Sequence, residues 1–414
     1  MRPLATFLDA TIRRLRIAGW NLRGRKFYIC HLAHENDRAS TQILVEYFKW
    51  VGVNVAVIEF NPTGQRPELQ PCLNDDTIAV IGYNSQLDHS RIGGENFIAM
   101  AGNKNIPVIQ WICDHPSFRW PQFDSNLDAT NVRYVFVSHY CEQYFHRYAV
   151  PDARTAVVSC TINPLSRVDD MSRESFLARD ITCLIPLKLK RLGGTAEVLE
   201  ARIRDLEPPL ADAVREAIAR ARFDLDKPLV LHLEHALARR QIELPNKTMH
   251  VCTNIVEDMT HTWRRRRIFE VAARFPVLIQ TDHAPPELEA DAVATFKTTP
   301  DWINPKATLA RMKSCRAVLS VSLTNDALHD RTGNAVNAGC VAVVEDNVVH
   351  RRVFKPGENA LLFRYDDDSL ERCLELVCNQ PETAYQIARR GFRLRDDPAF
   401  RFNGCHNLLA LACR

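Results

Sequence analysis

The chain has 414 residues, 46% of them hydrophobic and 25% charged, a globular composition that excludes a disordered or fibrous protein. At about 100–200 residues per domain this length predicts two domains. Lys+Arg 53 against Asp+Glu 50 leaves a formal charge of only +3, too weak a field for a dedicated nucleic-acid binder.

The first 26 residues carry Arg2, Arg13, Arg14, Arg16, Arg23, Arg25 and Lys26 against the single acid Asp9, interleaved with Phe7, Leu8, Ile12, Leu15, Ile17 and Trp20. This breaks any signal-peptide apolar region, and no 18-residue apolar run occurs anywhere. Two readings fit the segment. It is a helix packed on the protein, or a basic amphipathic helix making a peripheral contact with an anionic membrane at the inner face. Thirteen cysteines, an odd number, show no Cys-x-x-Cys pair and no zinc spacing, so reduced thiols, no metal and a cytoplasmic compartment are expected. Cys30, Cys160, Cys183 and Cys252 lie in apolar runs and read as core filler.

Strand-like β-branched runs follow at 27–32, 53–60, 77–83, 106–112, 134–138 and 156–160, with helical stretches between them. In the first such stretch Ile43, Leu44, Tyr47, Phe48 and Val51 repeat with helical period behind Asn36 and Asp37 as caps. A second strand series is read at 181–185, 229–233, 249–253, 277–280, 318–321, 340–344 and 361–363. The expected architecture is α/β, with two Rossmann-like parallel sheets covered on both faces. The boundaries read as 1–164, then 165–395 with a helical insertion at about 195–246, then a tail at 396–414. Pro208 and Pro209 open a helix in the insertion with Leu210, Val214, Ala217, Ile218 and Ala221 on one face. Asp368 and Ser369 cap a later helix.

Open α/β sheets bind ligands on the loops after their strands, so those loops hold the candidates. After the first strand come His34 and Glu35, either of which can serve as a general base or belong to a solvated capping loop. No G-x-G-x-x-G occurs there, which counts against a nicotinamide or flavin cofactor. After 106–112 come Asp114 and His115; as neighbours on an extended chain they point apart and are not expected to form a dyad. In the second half a loop from Asn254 to Trp263 is expected before Arg264–Arg267, of which one or two can reach a phosphate and the rest form a solvated face.

The richest segment follows 318–321: His329-Asp330-Arg331-Thr332-Gly333-Asn334, opening a short helix of small residues that ends at Gly339. Backbone amides of Thr332, Gly333 and Asn334 at a helix start, with Arg331 beside them, suit a pyrophosphate. His329 can neutralise a leaving group or bind a donor hydroxyl.

The run from Leu319 through Arg331, Ala338-Gly339 and Val341–Val344 to Phe354-Lys355-Pro356-Gly357-Glu358-Asn359 resembles the donor half of GT-B glycosyltransferases, nearest the spore-coat CgeB-like group. Asn254 with Arg264–Arg267, and Trp111–Pro116, resemble other parts of that group. The resemblance implies two domains facing a cleft, with the acceptor on the first and a nucleotide-diphosphate sugar on the second, and with no metal required. It implies donor contacts from Asn254, Arg265, His329, Asp330, Arg331, Thr332, Gly333 and Asn334. An inverting reaction would also need a base, drawn from His34, Glu35, Asp114 and His115. The chain departs from the pattern at two glutamates that many retaining members place eight positions apart; here they are Asp326 and Asn334. Rival readings are an enzyme that isomerises or hydrolyses the same nucleotide sugar, and a non-catalytic nucleotide-sugar-binding scaffold. Sugar, nucleotide and acceptor are not legible in the sequence.

Overall fold

The computed structural model describes residues 24–32, 35–61, 64–123, 129–159, 163–188, 196–298, 305–322, 324–402 and 404–413. His34, Cys160 and nearly all of the basic amphipathic segment lie outside them. The chain divides into a first unit of residues 1–164 with 397–414 and a second of residues 165–396.

In the first unit, Lys26–Leu32 (β1), Asn54–Phe60 (β2), Thr77–Tyr83 (β3), Val108–Ile112 (β4), Val132–Phe136 (β5) and Thr155–Val157 (β6) form one parallel sheet in the order β2-β1-β3-β4-β5-β6. Every residue of β3 is buried, as a central strand covered on both faces requires. One face packs Phe27, Ile29, Tyr47, Phe48, Ile81 and Trp111; the other packs Cys30, Val80, Phe97, Ile112, Phe136 and Phe145. The first helix begins at Glu35, so Asn36 and Asp37 stand inside its first turn rather than capping it.

The last residues are part of this unit. Leu408, Leu409, Leu411 and Ala412 of helix Cys405–Cys413 bury themselves in the first face, and Arg401 bridges to Glu46 at 2.6 Å. Gly404, at φ +81°, makes the close approach; a Cβ there would meet the Val157 carbonyl oxygen at 2.7 Å.

In the second unit, Ile181–Pro186 (β7), Leu278–Thr281 (β8), Thr295–Thr298 (β9), Cys315–Ser320 (β10), Val341–Glu345 (β11) and Leu361–Phe363 (β12) form a second parallel sheet, ordered β9-β8-β7-β10-β11-β12. Its core runs through Cys183, Ile185, Ile268, Phe269, Leu319, Val343 and Leu374. Gly339, at φ +65°, follows helix Asp330–Asn337, and a Cβ on it would run into Met171 Sδ.

Two expected strands are helices. Residues 229–233 open helix Leu229–Arg239, where Leu229, Val230, Leu233, Ala236 and Leu237 are buried at helical spacing behind Pro228. Residues 249–253, and the loop expected from Asn254 to Trp263, are both part of one 27-residue helix, Asn246–Ala272. Neither Gly nor Pro interrupts it, but the polar residues on its buried side disguise the period on which a helix is recognised. Helices Ala196–Arg204, Pro208–Ala221 and Leu229–Arg239 pack on it. At helix Ser369–Asn379 the first amide is held by Asp367 at 2.8 Å, not by Asp368, which pairs with Arg372.

The twelve described cysteines are all free, and Cys30, Cys183 and Cys252 are buried. Among the described residues no helix is long and apolar enough to cross a membrane.

Candidate functional site

In the second sheet the strand order reverses between β7 and β10, and ligands of open α/β sheets sit beyond the carboxyl ends of the strands at such a point. Lys188 follows β7 there, half-buried. Arg265 reaches it from the long helix, its Nη1 donating to the Lys188 carbonyl at 2.7 Å. From β10 the chain passes through His329 into helix Asp330–Asn337, whose Thr332 hydroxyl donates back to Ser320 Oγ at 3.1 Å.

The start of that helix is closed from inside. The Arg331 amide donates to His329 Nδ1 at 3.1 Å and to Asp330 Oδ1 at 2.8 Å, and the Thr332 amide donates to the His329 carbonyl at 3.0 Å. The expected anion contacts from the first-turn amides are therefore already engaged, and the side chains around them are what remains for a ligand. Their electrostatics converge. Burial holds the His329 pKa below its ordinary value, and Arg331 and Arg265 depress it further against the opposing pull of Asp330. Burial likewise lowers Lys188, with Arg265 and Arg331 adding to the effect and Asp282 opposing it. Burial also lowers Arg331 against Asp330. Lys188 and His329 thus both feel the charges of Arg265 and Arg331, and an anion among them would offset that repulsion.

Beneath this edge lies a buried polar layer. Arg264, fully buried, donates to the carbonyls of Arg222 at 3.1 Å, Ala221 at 2.7 Å and Asp224 at 2.9 Å, and to Asn325 Oδ1 at 3.0 Å. Glu345 accepts from the Ser322 amide at 2.7 Å and from the Tyr365 hydroxyl at 2.8 Å. Of the four consecutive arginines, Arg264 is a structural tie and Arg265 reaches the edge. Arg266 and Arg267 pair outward with Glu270 and Glu287.

The remaining donor candidates separate. Asn334 is buried and accepts from Ser166 Oγ at 3.1 Å, so its amide oxygen is turned inward. Gly333 is buried beside it. Asp326 accepts from Thr324 Oγ1 at 3.2 Å. Asn254 stands on the long helix, eleven residues and therefore about 16 Å from Arg265. Lys188 and Asp282 were not among the residues expected from the sequence. Their signal was position alone, directly after the runs at 181–185 and 277–280.

In the first unit the corresponding reversal lies between β1 and β3. Asn84 and Ser85 leave β3 with φ of 44° and 61°, a left-handed pair that Asn tolerates better than most residues. Asn84 Oδ1 accepts from the Cys113 amide at 2.8 Å and Gln86 Oε1 from the Leu32 amide at 3.2 Å, so this loop joins the ends of β1 and β4. The sequence reading passed over both residues. Asp114 is bound by Arg119, through Nε at 3.1 Å and through Nη2. His115 is buried, with Nδ1 at 2.7 Å from Ser117 Oγ and its ring 4.6 Å from that of Tyr144. Neighbours on the chain, they take different partners. Glu35 starts helix Glu35–Trp50; its side chain lies outside the described residues.

Among the described residues no three His, Cys, Asp or Glu side chains are grouped to hold a metal ion. The three consecutive acids Asp366, Asp367 and Asp368 are held separately, by Arg364, the Ser369 amide and Arg372.

Residues 264–398 match the family model described as glycosyl transferase-like. The match covers about a third of the chain and contains Arg265 and the whole 329–334 edge. No curated protein matches the chain. Among solved structures it is similar to Anabaena HepE in complex with UDP-glucose, at 10% identity over 93% of this chain and 98% of that one, TM-score 0.47. It is similar also to a glycosyltransferase from Rickettsia africae, at 9% identity over 94% and 98%, TM-score 0.46. A third is the sucrose-phosphate synthase of Thermosynechococcus elongatus, at 10% identity over 94% and 96%, TM-score 0.45.

Proposed function

We propose that the protein is a GT-B-type glycosyltransferase, nearest the CgeB-like group, that moves a hexose-like sugar from a nucleotide-diphosphate donor to a glycan, lipid or protein acceptor. The observation that carries this reading is the convergence of Lys188, Arg265, His329 and Arg331 at the reversal point of the second sheet. It lies next to and within the segment that matches a glycosyl transferase-like family.

Loss of a nucleoside diphosphate develops negative charge on the leaving oxygens, and preorganised cations at that position lower the barrier. Side-chain cations fill this role here, without a metal. The neutral His329 ring beside Arg331 is placed to take a proton as the diphosphate charge grows. For an inverting course the base against the acceptor hydroxyl comes from the carboxyl ends of β1 and β4. Asp114 is committed to Arg119, which leaves His115, Glu35 and His34 as the better candidates.

A second reading has its own support. The helix offers Asn334, hydrogen-bonded inward to Ser166, where many retaining relatives would hold a carboxylate. Nucleotide-sugar binding without transfer would follow if that carboxylate were needed. Release of nucleoside diphosphate only when acceptor is present, with the sugar joined to the acceptor, supports transfer. Turnover without acceptor indicates hydrolysis or isomerisation, and binding without turnover indicates a scaffold.

A further inference from the structure

The chain enters the second unit at Leu165 and leaves it at Asp396. Just inside those two points, and wholly within that unit, both segments are tied to helix Asp330–Asn337, the helix that opens at His329 and Arg331.

At the entry, the single turn Pro164–Ser166 sets Ser166 against the middle of the helix, fully buried. Its Oγ donates to Asn334 Oδ1 at 3.1 Å and accepts from Asn337 Nδ2 at 2.9 Å. Asn334 and Asn337 are three residues apart, so they share one helix face, and both are buried. A little further along, the Val168 amide donates to the Asn337 carbonyl at 3.3 Å. At the exit, Arg395 Nη1 donates to the Val168 carbonyl at 2.6 Å, while its guanidinium lies 3.7 Å over the Phe392 ring. Val168 thus joins the helix, the entry and the exit through its backbone.

The ends of the helix do not call for this tie. His329 and Asp330 close its start, and Arg179 closes its carboxyl end, with Nη2 donating to the Ala338 carbonyl at 3.0 Å and Nη1 to the Gly339 carbonyl at 2.9 Å. Ser166 holds the helix from the side instead, through a buried polar network that specifies one placement where apolar packing would admit several. A helix of eight residues is only about 12 Å long and moves as a rod. A displacement at Arg331 is therefore carried to Asn334, about 4.5 Å along the axis, and to Asn337, about 9 Å along it.

We propose that Ser166 is a positioning residue: through Asn334 and Asn337 it couples the start of helix Asp330–Asn337 to the entry and exit segments, so that an anion held at Arg331 steadies both. This rests on the reading of that edge as a diphosphate site. Coupling of this kind is reciprocal, so cutting the tie also weakens the ligand, although the cut lies about one to two helical turns from Arg331.

The test is hydrogen exchange on the full chain, read at residues 166–169 and 393–396, with and without whichever of UDP, GDP, ADP and dTDP binds most tightly in calorimetry. Exchange in both segments is expected to slow at least about threefold on binding. Ser166→Ala should lose that response, bind the diphosphate about five- to tenfold more weakly and melt within a few degrees of the wild type. Arg395→Met keeps the contact with Phe392 and removes the bond to Val168. It should lose the response at 393–396 alone, and it carries the test if Ser166→Ala melts too low to titrate. A tie that served only the fold would lower melting and leave the response to ligand in place. Unchanged exchange in both segments when the diphosphate binds the wild type, or a Ser166→Ala variant with wild-type affinity and response, would overturn the coupling and leave the diphosphate edge intact. Failure of the wild-type protein to bind any of the four would instead contradict the edge, and the coupling with it.

Discussion

Arg264 Nη1 donates to Asn325 Oδ1 at 3.0 Å, and Asn325 Nδ2 in turn donates to the carbonyls of Asp224 at 2.9 Å and Lys227 at 2.6 Å. Through this pair the loop after β10, which leads to His329, is tied to the end of helix Pro208–Ala221, whose last carbonyls the same guanidinium caps. A positive group at a helix carboxyl end also opposes the macrodipole. Arg264→Ala would leave three buried carbonyls and an amide oxygen without their donor. A loss of about 3–5 kcal/mol in urea unfolding is expected, the range for breaking a buried charged network. A loss below 1 kcal/mol would show that the tie is incidental.

Asp88 carries a pH dependence. It is 4% exposed, accepts from Gln110 Nε2 at 2.6 Å, and burial pushes its carboxyl up to about 7, with the Ser85 and Gln110 hydrogen bonds opposing. Because the folded value lies above the unfolded one, near 4, the native state holds the proton more tightly. Below about pH 4 both states are protonated and nothing is lost; between 4 and 7 stability falls, and above 7 the loss is complete. Asp88→Asn keeps an acceptor for Gln110 and removes the titration. It should match the wild type at pH 4 and exceed it by about 2–4 kcal/mol at pH 8. Equal stability of the two at pH 8 would contradict the assignment.

His329 should take up a proton when a diphosphate binds. Burial and the Arg331 and Arg265 charges hold its pKa below the ordinary histidine value, and a nearby anion reverses the second influence. At pH 6 the binding enthalpy should therefore vary with the ionisation enthalpy of the buffer, and His329→Gln should remove that variation. The same enthalpy in all buffers for the wild type would separate His329 from the bound anion.

Most strands of both parallel sheets were legible in the sequence because β-branched runs between turn residues carry their own signal, and β1, β3 and β12 fall where those runs predict; edge strand β9, Thr-Phe-Lys-Thr, has no such run and was not expected. The long helix was not. Its buried side holds His250, Glu257, Asp258 and His261, so the hydrophobic period that marks a helix is broken there. The helix start at His329–Arg331 was legible because a polar loop after β10 gives way to Arg331-Thr332-Gly333-Asn334 and a run of small residues ending at Gly339. The inward turn of Asn334 was not, because its partner Ser166 lies 168 residues away in the chain.

Turnover should survive EDTA. The cations at the edge are side chains, and Asp366, Asp367 and Asp368 are each held by a neighbouring group. Activity lost on chelation and restored by Mg²⁺ or Mn²⁺ would show that a metal takes part.

The central claim is that the Lys188–Arg265–Arg331 edge holds the diphosphate of a nucleotide sugar, and calorimetric titration of Arg331→Ala beside the wild type tests it most directly. Arg331 is half-buried, and its variant is expected to melt within a few degrees of the wild type. Affinity for the best-binding nucleotide sugar should fall by about 1.5–3 kcal/mol, the range for a hydrogen bond to a charged group. Unchanged affinity in a variant that melts like the wild type would remove the diphosphate from this edge.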